Sequence, residues 1–524
     1  MFLGFALAFA SIGAAVFCDW AGGETYPVGD SAILELYTRH AAHGAWALGP
    51  YSQFGWNHPG PLLFYLLAPL YLFSGEKTIA LHLGAFAINL LSVSAIVLVL
   101  LRYSAPGIAA AAAAAIGLYL YRLPLISSFW NPHIVILPAA AFLVLCAAVA
   151  ARHLWALPVA VLVGSFLVQT HVSLGPYVVL LTTAALAAAM WLERARTSER
   201  SLLSWTAGSA ALLLLLWWLP IAEQLRRSPG NMTRMLQFFG SPSPGQELRT
   251  ALIVWGDTIG TLFKRSVELP MGSPLAIPAD GSTLSIVSAA LQLLLLILVF
   301  ADAHRRQQRF DAALAAAGLL ASLTVLWSLT QVKSLVGDYM VFWLSSIGTL
   351  NWAVIAGITL TRLGGVRLHT VFEWTAVGAS ALAVWIFVQL GTTELRRARR
   401  HAMVPPRDSA RTVKLVSETI LNDMRTHQVR RPLIHMTTRD WGEAAGVLLQ
   451  VYKRGSTPAV DASLVHFFGA PLAPNGQEDR IFVLADATWH PAFIGRSGYE
   501  FLAQIEDVYV HASSVVLPPP PKKP

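Results

Sequence analysis

Asp30, His58, Arg122, His133, His171 and Lys333 are the residues of this chain whose types and places could do chemistry. Each lies at the edge of an apolar run, not in the middle of one. Asp30 opens the segment GDSAILELYTRHAAHG, and a carboxylate at such a place can take the proton of an attacking hydroxyl. Arg122 and Lys333 carry the positive charge that steadies a phosphate, and the imidazoles offer hydrogen bonds to it. Plainer readings stand beside these. Asp30 can be the N-cap of its helix. His58 can hydrogen-bond the loop before Pro59, and His133 and His171 can anchor span ends at an interface. Trp56 and Trp130 read as aromatic-belt residues, and Gln169 as a hydrogen bond between helices. Glu35 is the weaker carboxylate, because Arg39 follows it by one helical turn and can pair with it.

These residues need a frame to hold them. The chain has 524 residues, of which 55% are hydrophobic and only 13% charged. Its mean hydropathy is +0.56, which excludes an ordinary soluble globule. The apolar runs fall near 2–18, 78–101, 105–121, 132–150, 154–170, 172–192, 201–220, 282–301, 311–330, 338–361 and 371–391. That makes about eleven transmembrane helices. Arg102, Arg152, Arg194, Arg196, Arg200, Arg305, Arg306, Arg309, Arg362 and Arg367 fill alternate turns between them. Placed together on the cytoplasmic side, they leave the N-terminus inside, with 19–77, 221–281 and the C-terminal part outside. The net charge of +8 is then loop charge, and no nucleic-acid partner is expected. Residues 2–18 end in Cys18 but lack a cleavage site, and read as an uncleaved first span. Cys18 and Cys146 both lie in or beside apolar runs, so neither a disulfide nor a thiolate metal site is expected.

The first outer loop has its own order. Ile33, Leu36, Tyr37 and His40 share one helix face, which predicts an amphipathic helix on the membrane surface starting at Gly29-Asp30-Ser31. Pro59 and Pro61 open a second stretch, 62–73, too short to span comfortably and so half-inserted or interfacial. In the 221–281 loop, 232–239 and 252–263 predict further surface helices. After residue 392 the composition turns charged and mixed. Helix-like runs at 408–424 and 441–452 and strand-like runs at 432–436, 459–468, 480–484 and 508–516 predict a small extracytoplasmic α/β domain over 393–516. PPPPKKP, 517–524, is a Pro/Lys tail. The fold class is therefore an α-helical polytopic membrane domain over 1–392 with a small C-terminal α/β domain.

No P-loop, dinucleotide fingerprint, HExxH or nucleophile elbow is present. The loop motif GDSAILELYTRHAAHG followed by NHPGPLLFYLLAP resembles the first outer loop of the GT-C glycosyltransferases. It is most similar to bacterial relatives of protein mannosyltransferases and aminoarabinose transferases, which take sugar from a polyprenyl-phosphate carrier. Asp30 matches the acidic residue that opens the first surface helix, and His58-Pro59 with Pro61 matches the His-Pro-Pro-like start of the second. Ser128-Phe129-Trp130-Asn131-Pro132-His133 and Gln169-Thr170-His171 continue the likeness to about position 190. Ser31 stands where many relatives have Glu, which weakens a two-carboxylate metal site, and Gly60 interrupts the usual Pro-Pro.

The resemblance implies inverting sugar transfer on the outer face of the cytoplasmic membrane. Asp30 would be the general base, and His58, Arg122, His133, His171 and Lys333 would contact substrate. It implies the lipid bilayer, a polyprenyl-phosphate sugar and a glycan, lipid or protein acceptor as partners. No metal ligand is assigned, and a divalent metal is left open. A lipid or glycan transporter or flippase is the alternative, although such proteins place ionisable groups near the midplane of their spans, and these spans are almost free of charge. A non-catalytic relative serving envelope assembly is the other.

Overall fold

The computed structural model describes residues 25–122, 126–193, 199–260, 283–333, 336–364, 407–437 and 441–514. The expected spans 2–18 and 371–391, Cys18, and the 517–524 tail lie outside them. The order begins with α1 (Gly29–Ala42), α2 (Leu62–Phe73), α3 (Ile79–Tyr103) and α4 (Pro106–Arg122). Next come α5 (Asn131–Ile134), α6 (Ile136–Ala150), α7 (Ala156–Thr170), α8 (Gly175–Glu193) and α9 (Glu199–Arg226). The membrane part closes with α10 (Asn231–Gly240), α11 (Leu248–Trp255), α12 (Thr283–Arg305), α13 (Arg309–Thr330), α14 (Asp338–Val341) and α15 (Leu344–Gly364). Among the described residues, seven helices are long and apolar enough to cross a membrane. The shorter apolar helices Gly107–Leu120 and Ala156–Thr170 occupy two further expected spans.

α6 is the axis of the bundle. It is apolar on every side, as a fully surrounded helix must be, and packs against α3, α7, α8, α13 and α15. Its small residues Ala139, Ala140, Ala141, Ala147 and Ala148 are all buried and let neighbours approach closely. Lipid-facing leucines such as Leu214, Leu215 and Leu225 cover α9 instead. A polar knot ties α12, α13 and α15: Asn351 Nδ2 donates to Gln292 Oε1 at 3.0 Å and to Ser322 Oγ at 3.0 Å. Gln169 does join helices, accepting from Leu62 N–H at 3.2 Å and donating to the Leu216 carbonyl at 2.9 Å.

The C-terminal unit holds α16 (Arg407–Thr426), β1 (Pro432–Met436), α17 (Trp441–Lys453), β2 (Ala459–Val460), α18 (Val465–Phe468), β3 (Arg480–Ala485), β4 (Glu500–Ile505) and β5 (Val508–Ser513). The sheet order is β2-β1-β3-β5-β4, with β2, β1 and β3 parallel and β5 antiparallel to both β3 and β4.

Several expectations are corrected. The surface helix α1 is not amphipathic in its setting: α2 packs on one side, α17 on another, and Ile33, Leu34, Glu35, Leu36, Tyr37 and Thr38 are all buried. Glu35 and Arg39 do not pair. Lys453 Nζ meets Glu35 Oε1 at 2.6 Å, and Arg39 pairs with Glu76. The expected span 338–361 divides into α14 and α15, with Phe342 packed on His133 and Trp343 hydrogen-bonded to Ser173 between them. The expected strand 459–468 stops at Val460 and becomes helical, since Phe467 is drawn to Tyr37 of α1. β4 is not among the expected strands: it is an edge strand in which exposed and half-buried residues do not alternate regularly.

Candidate active site

Asp30 lies in the first turn of α1, one residue after Gly29. Gly29 has φ +55°, a left-handed conformation that admits the sharp entry into the helix. Val28 is the N-cap, and no side chain caps this helix, so the N-cap reading of Asp30 is set aside. Its carboxylate has other partners. Tyr51 Oη donates to Oδ1, and Trp130 Nε1 donates to Oδ2 at 2.8 Å. Each carboxylate oxygen keeps a second acceptor direction, so the group is oriented yet still able to take a proton. Asp30 retains a little accessible surface but sits deep in the protein. That burial raises its pKa, and the hydrogen bonds from Tyr51 and Trp130 only partly oppose it.

Loop 44–61 positions Tyr51. Tyr51 bridges Asn57, Ser52 N–H donates to the Trp56 carbonyl at 2.9 Å, and His58 N–H donates to the Pro50 carbonyl at 2.8 Å. Asn231, the first residue of α10, pins this loop from outside. It donates to the Asn57 carbonyl at 2.7 Å and accepts from Asn57 N–H at 2.8 Å. Gly60 explains its departure from the Pro-Pro pattern. A Cβ there would stand 2.3 Å from Gln169 Oε1 and 2.7 Å from Pro220. Trp130 is delivered by the turn before α5, so it is a donor to the carboxylate, not a belt residue. Trp56 is likewise buried.

Three phenols surround Asp30. Burial raises the pKa of Tyr51, Tyr37 and Tyr339, and the Asp30 charge adds to the shift in each. All three therefore remain donors at neutral pH. Tyr339 accepts from Gln53 Nε2 at 3.3 Å.

The expected histidines fall into two neighbouring groups. His133 lies edge-on to Trp130 with ring centroids 4.7 Å apart, and its Nδ1 meets Ser128 Oγ at 2.9 Å. Its Nε2 is buried with no hydrogen-bond partner. His58 and His171 stack at 4.9 Å. His58 Nδ1 accepts from Val172 N–H at 3.1 Å, and burial holds its pKa well below the usual histidine value. His58 is thus neutral with its proton on Nε2, a hydrogen-bond donor without a charge. His171 Nδ1 meets Ser173 Oγ at 2.7 Å, and Trp343 Nε1 donates to the same hydroxyl at 3.2 Å. The consecutive residues Phe342 and Trp343 join the groups, Phe342 lying 5.2 Å from His133.

Lys333 stands behind this wall. Its ammonium donates to the carbonyls of Ser241 and Phe238, and Phe238 packs against Trp56. The side chain of Arg122 lies outside the described residues. Among the described residues, one group of acidic and histidine side chains has metal-like spacing: Asp423, His427 and Glu500, in the C-terminal unit. Arg480 already donates to both of its carboxylates, so the cluster is satisfied as an ion-pair network. Among the described residues, no second carboxylate of that kind joins Asp30.

The fold has counterparts among solved structures. The crystal structure of ArnT from Cupriavidus metallidurans in the apo state matches over 97% of this chain and 97% of its own, with TM-score 0.55 and 13% identity. ArnT from the same organism bound to undecaprenyl phosphate matches over 98% of each chain, with TM-score 0.53 and 14% identity. The chain therefore shares the fold of these structures, a helical polytopic bundle carrying a small C-terminal sheet domain. No family model matches the sequence, and no curated protein matches it.

Proposed function

We propose that this protein moves a sugar from a polyprenyl-phosphate carrier to a hydroxyl of a cell-envelope acceptor, with inversion at the anomeric carbon. The observation that carries the reading is Asp30: a largely buried carboxylate at the head of α1, aimed by Tyr51 and Trp130, with its pKa raised by burial. The fold it shares with an ArnT that binds undecaprenyl phosphate supports the choice of a lipid-phosphate donor. In the reaction Asp30 takes the acceptor proton as the acceptor oxygen bonds to the anomeric carbon. The bond from that carbon to the phosphate oxygen breaks, and polyprenyl phosphate leaves with the electron pair. A phosphate leaves as an anion, so no general acid is needed, only donors and positive charge around it. His58, His171 and His133 would supply hydrogen bonds, and Arg122 and Lys333 positive charge. The arginine-bearing turns support a reaction on the outer face of the cytoplasmic membrane.

Purified protein in vesicles containing a polyprenyl-phosphate sugar tests this. Release of polyprenyl phosphate coupled to glycosylated acceptor is the expected result. Movement of the labelled lipid between leaflets with no sugar transferred would favour the flippase reading instead.

A further inference from the structure

The C-terminal unit reaches within one residue of Asp30. After β2 the chain does not continue as a strand but turns toward α1 through 462–464 and α18. Asp461 fastens the start of this excursion: its carboxylate meets His435 Nδ1 at 2.7 Å and accepts from Met436 N–H at 3.3 Å. The far end is fastened to α1 itself, where Tyr37 Oη donates to the Phe467 carbonyl. Between these anchors the Phe467 ring stands edge-on to Tyr51, centroids 5.2 Å apart and planes at 77°. The His466 ring lies against it, centroids 3.7 Å apart. Tyr51 is the residue that donates to Asp30.

We infer that Phe467 is a positioning residue for the Asp30 carboxylate, holding the Tyr51 ring so that its hydroxyl stays in line with Oδ1. The C-terminal unit is thereby part of the catalytic assembly and not an appended acceptor module. The geometry suits this role. Tyr51 sits on a loop, where its side chain would otherwise swing about the Cα–Cβ bond and carry the hydroxyl away from Oδ1, and an edge contact from an immobilised neighbour restricts that swing. Phe467 is immobilised by its backbone, so its side chain can be removed without releasing the segment. Among the described residues, the titratable groups facing Asp30 are Tyr37 on α1, Tyr51 on loop 44–61 and Tyr339 on α14, with Trp130 Nε1 from the turn before α5. Of these, Phe467 touches Tyr51 by its ring and Tyr37 by its carbonyl.

The inference rests on the proposed role of Asp30, and its test is read separately from transfer. An infrared titration of the full-length protein in nanodiscs follows the carboxyl band that disappears in Asp30→Asn. Loss of the Tyr51 hydrogen bond raises the midpoint of that band, because the bond favours the ionised form. Phe467→Ala is expected to raise it in the same direction as Tyr51→Phe, and to lower kcat roughly tenfold with little change in donor KM. In the Tyr51→Phe background, Phe467→Ala is expected to add nothing to either quantity. Should Phe467→Ala fail to fold, Phe467→Leu keeps the bulk without the ring edge and reads the same coupling. A full effect persisting in the Tyr51→Phe background, a fall in the midpoint, or no change would overturn the inference. If Asp30→Asn instead retains transfer, the functional reading fails while the infrared coupling still decides the role of Phe467.

Discussion

Asp30 shows how neighbours, not the residue itself, decide what a carboxylate does. Burial disfavours its charged form, while the Tyr51 hydroxyl and the Trp130 indole favour it. The balance lies above the ordinary carboxylate range, which fixes the sign of a pH prediction. A general base works ionised, so turnover should fall as pH drops through a pKa higher than that of a free aspartate. Tyr51→Phe and Trp130→Phe each remove one stabilising donor and should shift this acid limb further upward, with the alkaline side unmoved. A limb unchanged in both variants would remove Asp30 from the rate equation. His58 belongs to the same scale. Being neutral, it should bind a phosphate by a directed N–H and not by charge, so His58→Lys is not a conservative exchange.

At the scale of elements, α1 is held by α2 of the helical bundle and by α17 of the C-terminal unit. The second contact includes a buried ion pair, Lys453 with the fully buried Glu35, whose Oε1 also accepts from Tyr71 Oη at 3.0 Å. Removing one partner leaves a buried charge uncompensated, at about 3–5 kcal/mol. Lys453→Met alone should therefore lower the unfolding temperature in detergent markedly, and Glu35→Gln with Lys453→Met should recover most of the loss. Equal losses in the single and double variants would mean the pair contributes through packing alone. Much of this scale was legible. The start of α1 followed from Gly29 and a helical repeat, and the limits of α2 from Pro61 and an apolar run. What could not be read was the partner of each polar group. The local i, i+4 rule gave Glu35 to Arg39, whereas the chain gave it to Lys453, 418 positions away. Tyr51 and Trp130 carried no signal as donors to Asp30, since a loop aromatic beside a membrane reads first as an anchor. The 459–468 run failed for the same reason: its β-like composition yields to the bond between Phe467 and Tyr37, 430 positions apart.

The whole molecule is a bundle wound around α6 with a parallel-then-antiparallel sheet capping one end of it. The cap meets the membrane part at α1, so the site lies at a junction of two units, a usual place for ligands. Its sidedness has a direct test. Gln477, exposed in the C-terminal unit, and Gln307, exposed between α12 and α13, should lie on opposite faces. A cysteine at position 477 should react with an impermeant maleimide in intact cells, and one at 307 only after permeabilisation. The reverse pattern would invert the topology and move the reaction to the cytoplasmic face. The central claim, that this assembly transfers sugar with Asp30 as base, is tested most directly by Asp30→Asn in reconstituted vesicles. The account predicts that the variant folds, retains polyprenyl phosphate binding, and loses transfer by roughly a hundredfold or more. Transfer at the wild-type rate by a folded Asp30→Asn protein would contradict it.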